Sequence, residues 1–336
     1  MGIKRAIAIL IAAGLGLTVV GCTSAQPTTE GAQETAQAPA EITVPTVDPG
    51  TPELPVVFTG DDGAEVEVSS LERVMVLDDA TLEIAHALGV GDTIAITPEE
   101  SLLQDLASQA DTRVTTAGQG PLTVEGIVAL EPTLVVADNL RRHGDLVAGL
   151  RAVGVPAVLI DTSQPAPDKI RKTAEVFGVA STGDELASAV EAQIDAARDN
   201  ATGIPDEDRP SVMVISSSGA GDSGATTAAG QSTPAHEIIV AAGARNAGAE
   251  SGLDRYQSIT AEGLIAAKPD IIIVRDSELA DLGGEDGIWT TVPGLSAVPA
   301  ADTKALIVLG DTEIAFSGVS TGRAVLTLQA ALFPEL

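Results

Sequence analysis

A gapless internal repeat constrains this chain more than any other feature. Residues 122–136, LTVEGIVALEPTLVV, align position by position with residues 259–273, ITAEGLIAAKPDIII. Each copy opens on a threonine suited to cap a helix and puts a glutamate in the first turn, where it complements the helix dipole. A short amphipathic stretch follows, then a proline stop and an aliphatic run that reads as a buried strand. A second matched pair precedes these, EIAHALG at 83–89 and EIIVAAG at 237–243, each a helix closed by glycine. The order is the same in both halves, which predicts two similar α/β lobes.

Apolar runs at 74–77, 93–96, 134–136 and 157–160, and again at 211–215, 271–274 and 305–309, are separated by helical patterns. Buried parallel strands read this way. Between the halves, residues 183–198 form helix readily and contain no breaker. A helix of about 20 residues spans roughly 30 Å, the scale of a small lobe. The expected fold class is therefore α/β: two similar lobes with central, mostly parallel sheets, joined by a single long α-helix. Hydrophobic residues make up 44% of the chain but aromatics only 2%, so the cores must be aliphatic. Met75, Met213 and the one Trp, Trp289, are expected to pack or to lie at the surface.

The N-terminus reads as a processing segment. Lys4 and Arg5 precede an uninterrupted run of 15 small or apolar residues, 6–20. That run is short for a membrane span and right for a signal-peptide core. It ends in Val19-Val20-Gly21-Cys22, which resembles a bacterial lipobox and implies lipidation of Cys22 after cleavage behind Gly21. Two or three acyl chains anchor a protein stably. Residues 22–55 are rich in Thr, Ala, Glu, Gln and Pro and read as a disordered tether. The expected division is a signal peptide (1–21), a lipidated tether (22–55), an N-terminal lobe (56–180), a linking helix (181–203) and a C-terminal lobe (204–336). The folded part lies on the extracytoplasmic face of the cell membrane.

Charge and cysteine content narrow the function. Asp and Glu outnumber Lys and Arg 48 to 18, for a net charge of −30, and such a surface repels nucleic acid. The single Cys excludes a disulfide framework and a Cys-based zinc site. Three His exclude a His-rich metal cluster while leaving room for one or two axial ligands.

The layout resembles the substrate-binding proteins of bacterial iron-complex, haem and cobalamin ABC importers, whose lobes are bridged by one long helix. Residues 120–136 look like that family's first-lobe signature, and residues 256–270, beginning at Tyr256, like its second-lobe counterpart. Residues 293–300, PGLSAVPA, resemble a pattern common in the haem-binding branch. The resemblance covers about residues 70–335 and implies a non-enzymatic, monomeric receptor. It would take ferric haem as cargo and pass it to the permease and ATPase subunits of an importer.

The resemblance also gives candidate residues their roles. Glu125 and Glu262, matched in the two repeats, would meet arginines of the permease; by themselves they are ordinary first-turn acids. Tyr256, the only tyrosine, stands in a loop leading into a helix, where the haem-binding branch carries an iron ligand. Phenolate is a hard donor suited to ferric haem, and the adjacent Arg255 is expected to lower its pKa. His143, directly after a first-lobe strand, is the second expected ligand, because such loops border the ligand crevice of open α/β sheets. Arg141 and Arg142 would meet the propionates. His86 reads as a core residue; His236 and Gln119 are weaker cleft candidates. A ferric siderophore or a cobalamin is the alternative cargo. Residues 221–224, Gly-Asp-Ser-Gly, match a protease tetrad, but the chain offers no base placed for the serine, so a cell-surface hydrolase ranks last.

Overall fold

A computed structural model describes residues 42–116, 122–138, 140–161, 164–216 and 226–336. Residues 42–336 form one compact unit. Its first half opens with an antiparallel hairpin, β1 (Val56–Thr59) and β2 (Glu65–Val68). A five-stranded sheet follows, built from β3 (Val74–Val76), β4 (Ile94–Pro98), β5 (Thr112–Val114), β6 (Leu134–Ala137) and β7 (Ala157–Leu159). Its order is β5-β4-β3-β6-β7 and every pairing is parallel.

The second half contributes β8 (Ser211–Ser216), β9 (Thr227–Ala229), β10 (Arg245–Asn246), β11 (Tyr256–Ser258), β12 (Ile271–Arg275) and β13 (Leu306–Leu309). Their order is β11-β9-β8-β12-β13, with β10 also paired to β8. The pairings of β8 with β10 and β12, and of β12 with β13, are parallel. Those of β9 with β8 and β11 are antiparallel, so this sheet is mixed. One 22-residue helix, Ala180–Ala201, runs between the halves, as the unbroken helix-forming stretch predicts.

The period-2 alternation of the strands sorts their side chains into separate cores. Val74, Val76, Leu134 and Val136 of the first sheet share one cluster with Val212, Val214 and Ile273 of the second. The linking helix enters that cluster through Leu186, Val190 and Ile194. The opposite faces build a core for each lobe: Met75, Val135 and Ala137 with Ile127 in the first, and Met213, Ile215, Ile272 and Val274 with Leu264 in the second. Ile127 and Leu264 are matched positions of the repeat. Trp289 packs in the second-lobe core.

The repeat extends to the backbone. Thr123 and Thr260 each accept the N–H three residues on, at 3.1 Å. Glu131 and Lys268, again matched, both adopt left-handed φ, 53° and 48°. Each precedes the proline stop, and a residue before proline is disfavoured in the right-handed helical region.

Two expectations are corrected. Residues 42–55 are not a free tether: they have no regular secondary structure, but Val44, Val47 and Leu54 pack on the shared core. Gly50 and Glu53 donate backbone hydrogen bonds to Leu88 and Gly178, both at 2.9 Å. Three scattered apolar residues have no periodicity, so composition alone hides this packing. Tyr256 is not in a loop: it is the first residue of β11 and pairs with Ala229 of β9. Both strands are three residues long, too short to show alternation.

Candidate functional site

In the first sheet the chain turns from β3 to one side and, from β6, to the other. Loops at the carboxyl ends of such a pair diverge and leave a crevice. Asp78 and Asp79 follow β3, Asp138 follows β6, and His143 lies in the first turn of the helix Leu140–Ala152. His143 is 6% exposed, and its Nδ1 stands 3.1 Å from Asp138 Oδ1. The two atoms are in close contact without the alignment of a hydrogen bond. A carboxylate against one ring nitrogen fixes an imidazole and leaves the other nitrogen for a ligand.

Beside it, Asp78 Oδ1 accepts the Thr81 N–H at 2.8 Å and pairs with buried Lys169 Nζ at 3.2 Å. Asp79 accepts the Ser101 hydroxyl and, at 2.9 Å, the Leu102 N–H. Burial holds its pKa above the usual carboxylate value, and the charges of Asp78 and Asp138 add to the rise.

The second-lobe counterpart centres on Tyr256, which keeps 39% of its surface open. Protein packed around the ring still withdraws water from the hydroxyl and pushes its pKa up to about 12. Arg275 acts against the rise and Glu278 adds to it. Arg255 does not supply the expected electrostatic help: its Nε lies 4.0 Å from Asp254 Oδ2. The charged groups that act on the phenol come instead from the carboxyl end of β12. There Arg275 Nη2 donates to Glu278 Oε1 at 2.5 Å, and the Ser216 hydroxyl, from the end of β8, donates to the same oxygen at 2.7 Å. Glu278 is only 5% exposed. Sequence reading missed this trio, although an arginine closing an aliphatic strand with a glutamate three residues on is a visible signal.

Glu125 and Glu262 sit exposed in the first turns of Val124–Val128 and Ala261–Ala267. Each is followed three residues later by an exposed aliphatic residue, Val128 (40%) and Ile265 (39%). The helical backbone includes Arg141 and Arg142, but their side chains lie outside the described residues, as do Cys22, Gln119 and 221–224.

His86 is half-buried beside Gly91, and burial lowers its pKa. Burial also lowers the pKa of His236, which lines a cavity of about 210 Å³ with Gln164, Arg198 and Gln231. That volume is below the few hundred Å³ of usual small-molecule sites. Neither Tyr256 nor His143 lines it, so it is not where a large cargo would lie. Among the described residues no helix is long and apolar enough to cross a membrane.

Comparison with known proteins places this geometry. The family model described as "Periplasmic binding protein" matches residues 74–313, well over half of the chain. The chain belongs to the periplasmic binding protein family. No curated protein matches it. Among solved structures, the periplasmic haem-binding protein RhuT from Roseiflexus sp. RS-1, in apo form, is 32% identical with a TM-score of 0.67. That match covers 78% of this chain and 98% of RhuT. The haem-binding protein HmuT is 27% identical with a TM-score of 0.71, over 86% of this chain and 93% of HmuT. The periplasmic haem-binding protein BhuT, solved with two haems, is 29% identical with a TM-score of 0.65, over 77% of this chain and 97% of its own. This periplasmic binding protein therefore belongs to a family of solute receptors of ABC importers and is not an enzyme.

Proposed function

We propose that this periplasmic binding protein captures ferric haem between its two lobes, with Tyr256 and His143 as iron ligands from opposite lobes. The observation that carries the reading is the setting of Tyr256. The only tyrosine of the chain stands open to solvent at a sheet edge, under the influence of half-buried Arg275 and buried Glu278. Similarity to RhuT, HmuT and BhuT supports haem as the cargo. HmuT variants in which a tyrosine, a histidine or an arginine is replaced by alanine have also been solved, and these are the residue types nominated here.

With its pKa near 12 the phenol is protonated before cargo arrives. Ferric iron is a strong enough Lewis acid to displace that proton, so binding releases one proton to water. Asp138 orients His143 toward its role, and Arg141, Arg142 and Arg255 supply positive charge for the propionates. Aliphatic side chains cover the porphyrin in a chain so poor in aromatics.

Cys22 carries the lipid anchor, and Glu125 and Glu262, each beside an exposed aliphatic residue, dock on the permease for delivery. Trp289, the single tryptophan, gives a direct test through its fluorescence. Hemin should quench it saturably and one-to-one, and Tyr256→Ala should weaken that binding at least tenfold, the scale of one lost strong interaction. Quenching that does not saturate would reject haem and turn the search to siderophores and cobalamin. Glu125→Ala and Glu262→Ala should leave hemin binding intact and lower its uptake by cells; unchanged uptake would reject the docking role.

A further inference from the structure

Glu83 and Glu237, matched in the repeat but outside the ligand site, converge on one short segment. Glu83 belongs to the first-lobe helix Asp79–Ala87, yet its donors come from the other half of the molecule. Its Oε2 accepts the Val319 N–H at 2.6 Å and the Ser320 N–H at 3.3 Å, and its Oε1 accepts the Ser320 hydroxyl. Glu237 belongs to the second-lobe helix Pro234–Ala241. Its Oε2 accepts the Ser317 hydroxyl at 3.3 Å, and the carboxylate also takes the backbone N–H of Ala166, at the start of the first-lobe helix Ala166–Val176. Each glutamate thus reaches across to the opposite lobe.

Ser317–Ser320 are all buried, and Val319 is part of the core that both lobes share. Gly318 makes the approach possible, because a Cβ there would stand 2.2 Å from Glu83 Oε2. Arg323, from the following helix Thr321–Leu332, faces Glu83 while paired with Glu313 at 3.0 Å. Arg198, from the linking helix, and Asp168 face Glu237.

We infer that Glu83 and Glu237 form a paired clasp across the lobes that grips Ser317–Ser320 and sets the interlobe spacing, which makes both of them positioning residues for the cargo. The linking helix joins the lobes through the core that both sheets share. Carboxylates bonded to backbone N–H groups of the opposite lobe add fixed points away from that helix, and charge-assisted bonds of this kind are the strong ones. The spacing they set is the spacing between Tyr256 and His143. In that respect the inference rests on the proposed capture of haem between the lobes.

Spin labels at Val153→Cys and Glu285→Cys, both exposed and one in each lobe, report the interlobe distance in the full chain carrying Cys22→Ser. The measurement is made without cargo. Glu83→Ala and Glu237→Ala are each expected to shift or broaden the distance distribution. Both should also speed haem release on the order of tenfold, the scale of one lost charge-assisted hydrogen bond. Glu83→Gln, which keeps an acceptor oxygen, should have a smaller effect, and Gly318→Ala should reproduce Glu83→Ala with both glutamates in place. Should Glu83→Ala not fold, Ser320→Ala removes one hydroxyl donor and carries the same expectation. Distributions identical to the parent in Ser320→Ala and Glu237→Ala would overturn the clasp. Altered distances with unchanged haem release would overturn the positioning role. A parent chain that binds no haem would refute the cargo reading alone, with the ligand-free distances still deciding the clasp.

Discussion

At the scale of single residues, the acid–base state of Tyr256 governs the chemistry. A phenol with a pKa of about 12 must lose its proton to bind iron, so protons compete with cargo throughout the neutral range. The affinity for ferric haem should therefore rise with pH, by up to about tenfold per unit between roughly pH 6 and 8. Tyr256→Phe, which keeps the ring and removes the oxygen, should abolish that slope, and a slope that survives in Tyr256→Phe would place the released proton elsewhere. A quieter pair of residues shares one backbone geometry at matched positions of the repeat. Glu131 and Lys268 hold left-handed backbone that costs a residue with a side chain about 1 kcal/mol or more. Lys268→Gly should thus leave the melting temperature unchanged or raise it, and a clear fall would show that the side chain contributes more than the strain costs.

At the scale of elements, helices were legible from their periodicity and buried parallel strands from continuous aliphatic runs, which register even for the three residues of β3 and β7. The repeat, its threonine caps, the linking helix and seven of the strands follow from patterns in the sequence. What escaped lacked an aliphatic run or was cooperative. Strands β9 and β11 carry no such run, and the packing of 42–55 depends on a surface made by other segments. For the site, the family resemblance nominates Tyr256 and the position after a strand nominates His143, whereas the Arg275–Glu278–Ser216 trio needed the sheet to bring β8 and β12 side by side. Tight helix packing yields a prediction of its own. Gly183 of the linking helix meets the helix Ala166–Val176 so closely that a Cβ would lie 2.1 Å from Ala174 Cβ. Gly183→Val should destabilise the protein by about 2 kcal/mol or more in chemical denaturation, and an unchanged midpoint would mean that the two helices separate easily.

At the scale of the whole molecule, the core shared by both sheets and the linking helix makes the lobes one thermodynamic body. Leu328 of the last helix lies in it with Val190 and Ile238. Leu328→Ala should lower stability by about 2–5 kcal/mol while unfolding remains a single transition. Two separated transitions would show that the lobes melt independently. The interlobe glutamates add a pH dependence. Burial raises the carboxyl pKa values of Glu83 and Glu237 above their ordinary 4.5, so between that value and the raised ones the folded state binds more protons than the unfolded chain. Their contribution to stability is therefore greatest on the acid side of this window and falls as pH rises through it. Glu83→Gln should flatten that fall in melting curves taken from mildly acid to neutral pH, and an unaltered profile would remove Glu83 as its source. The central claim, that an open tyrosine of the second lobe binds the iron of haem, is tested most directly by absorption spectroscopy of the ferric haem complex. The account predicts a saturable one-to-one shift of the Soret band that Tyr256→Phe changes in position and His143→Ala alters further. A Soret band identical in the parent and in Tyr256→Phe would contradict it.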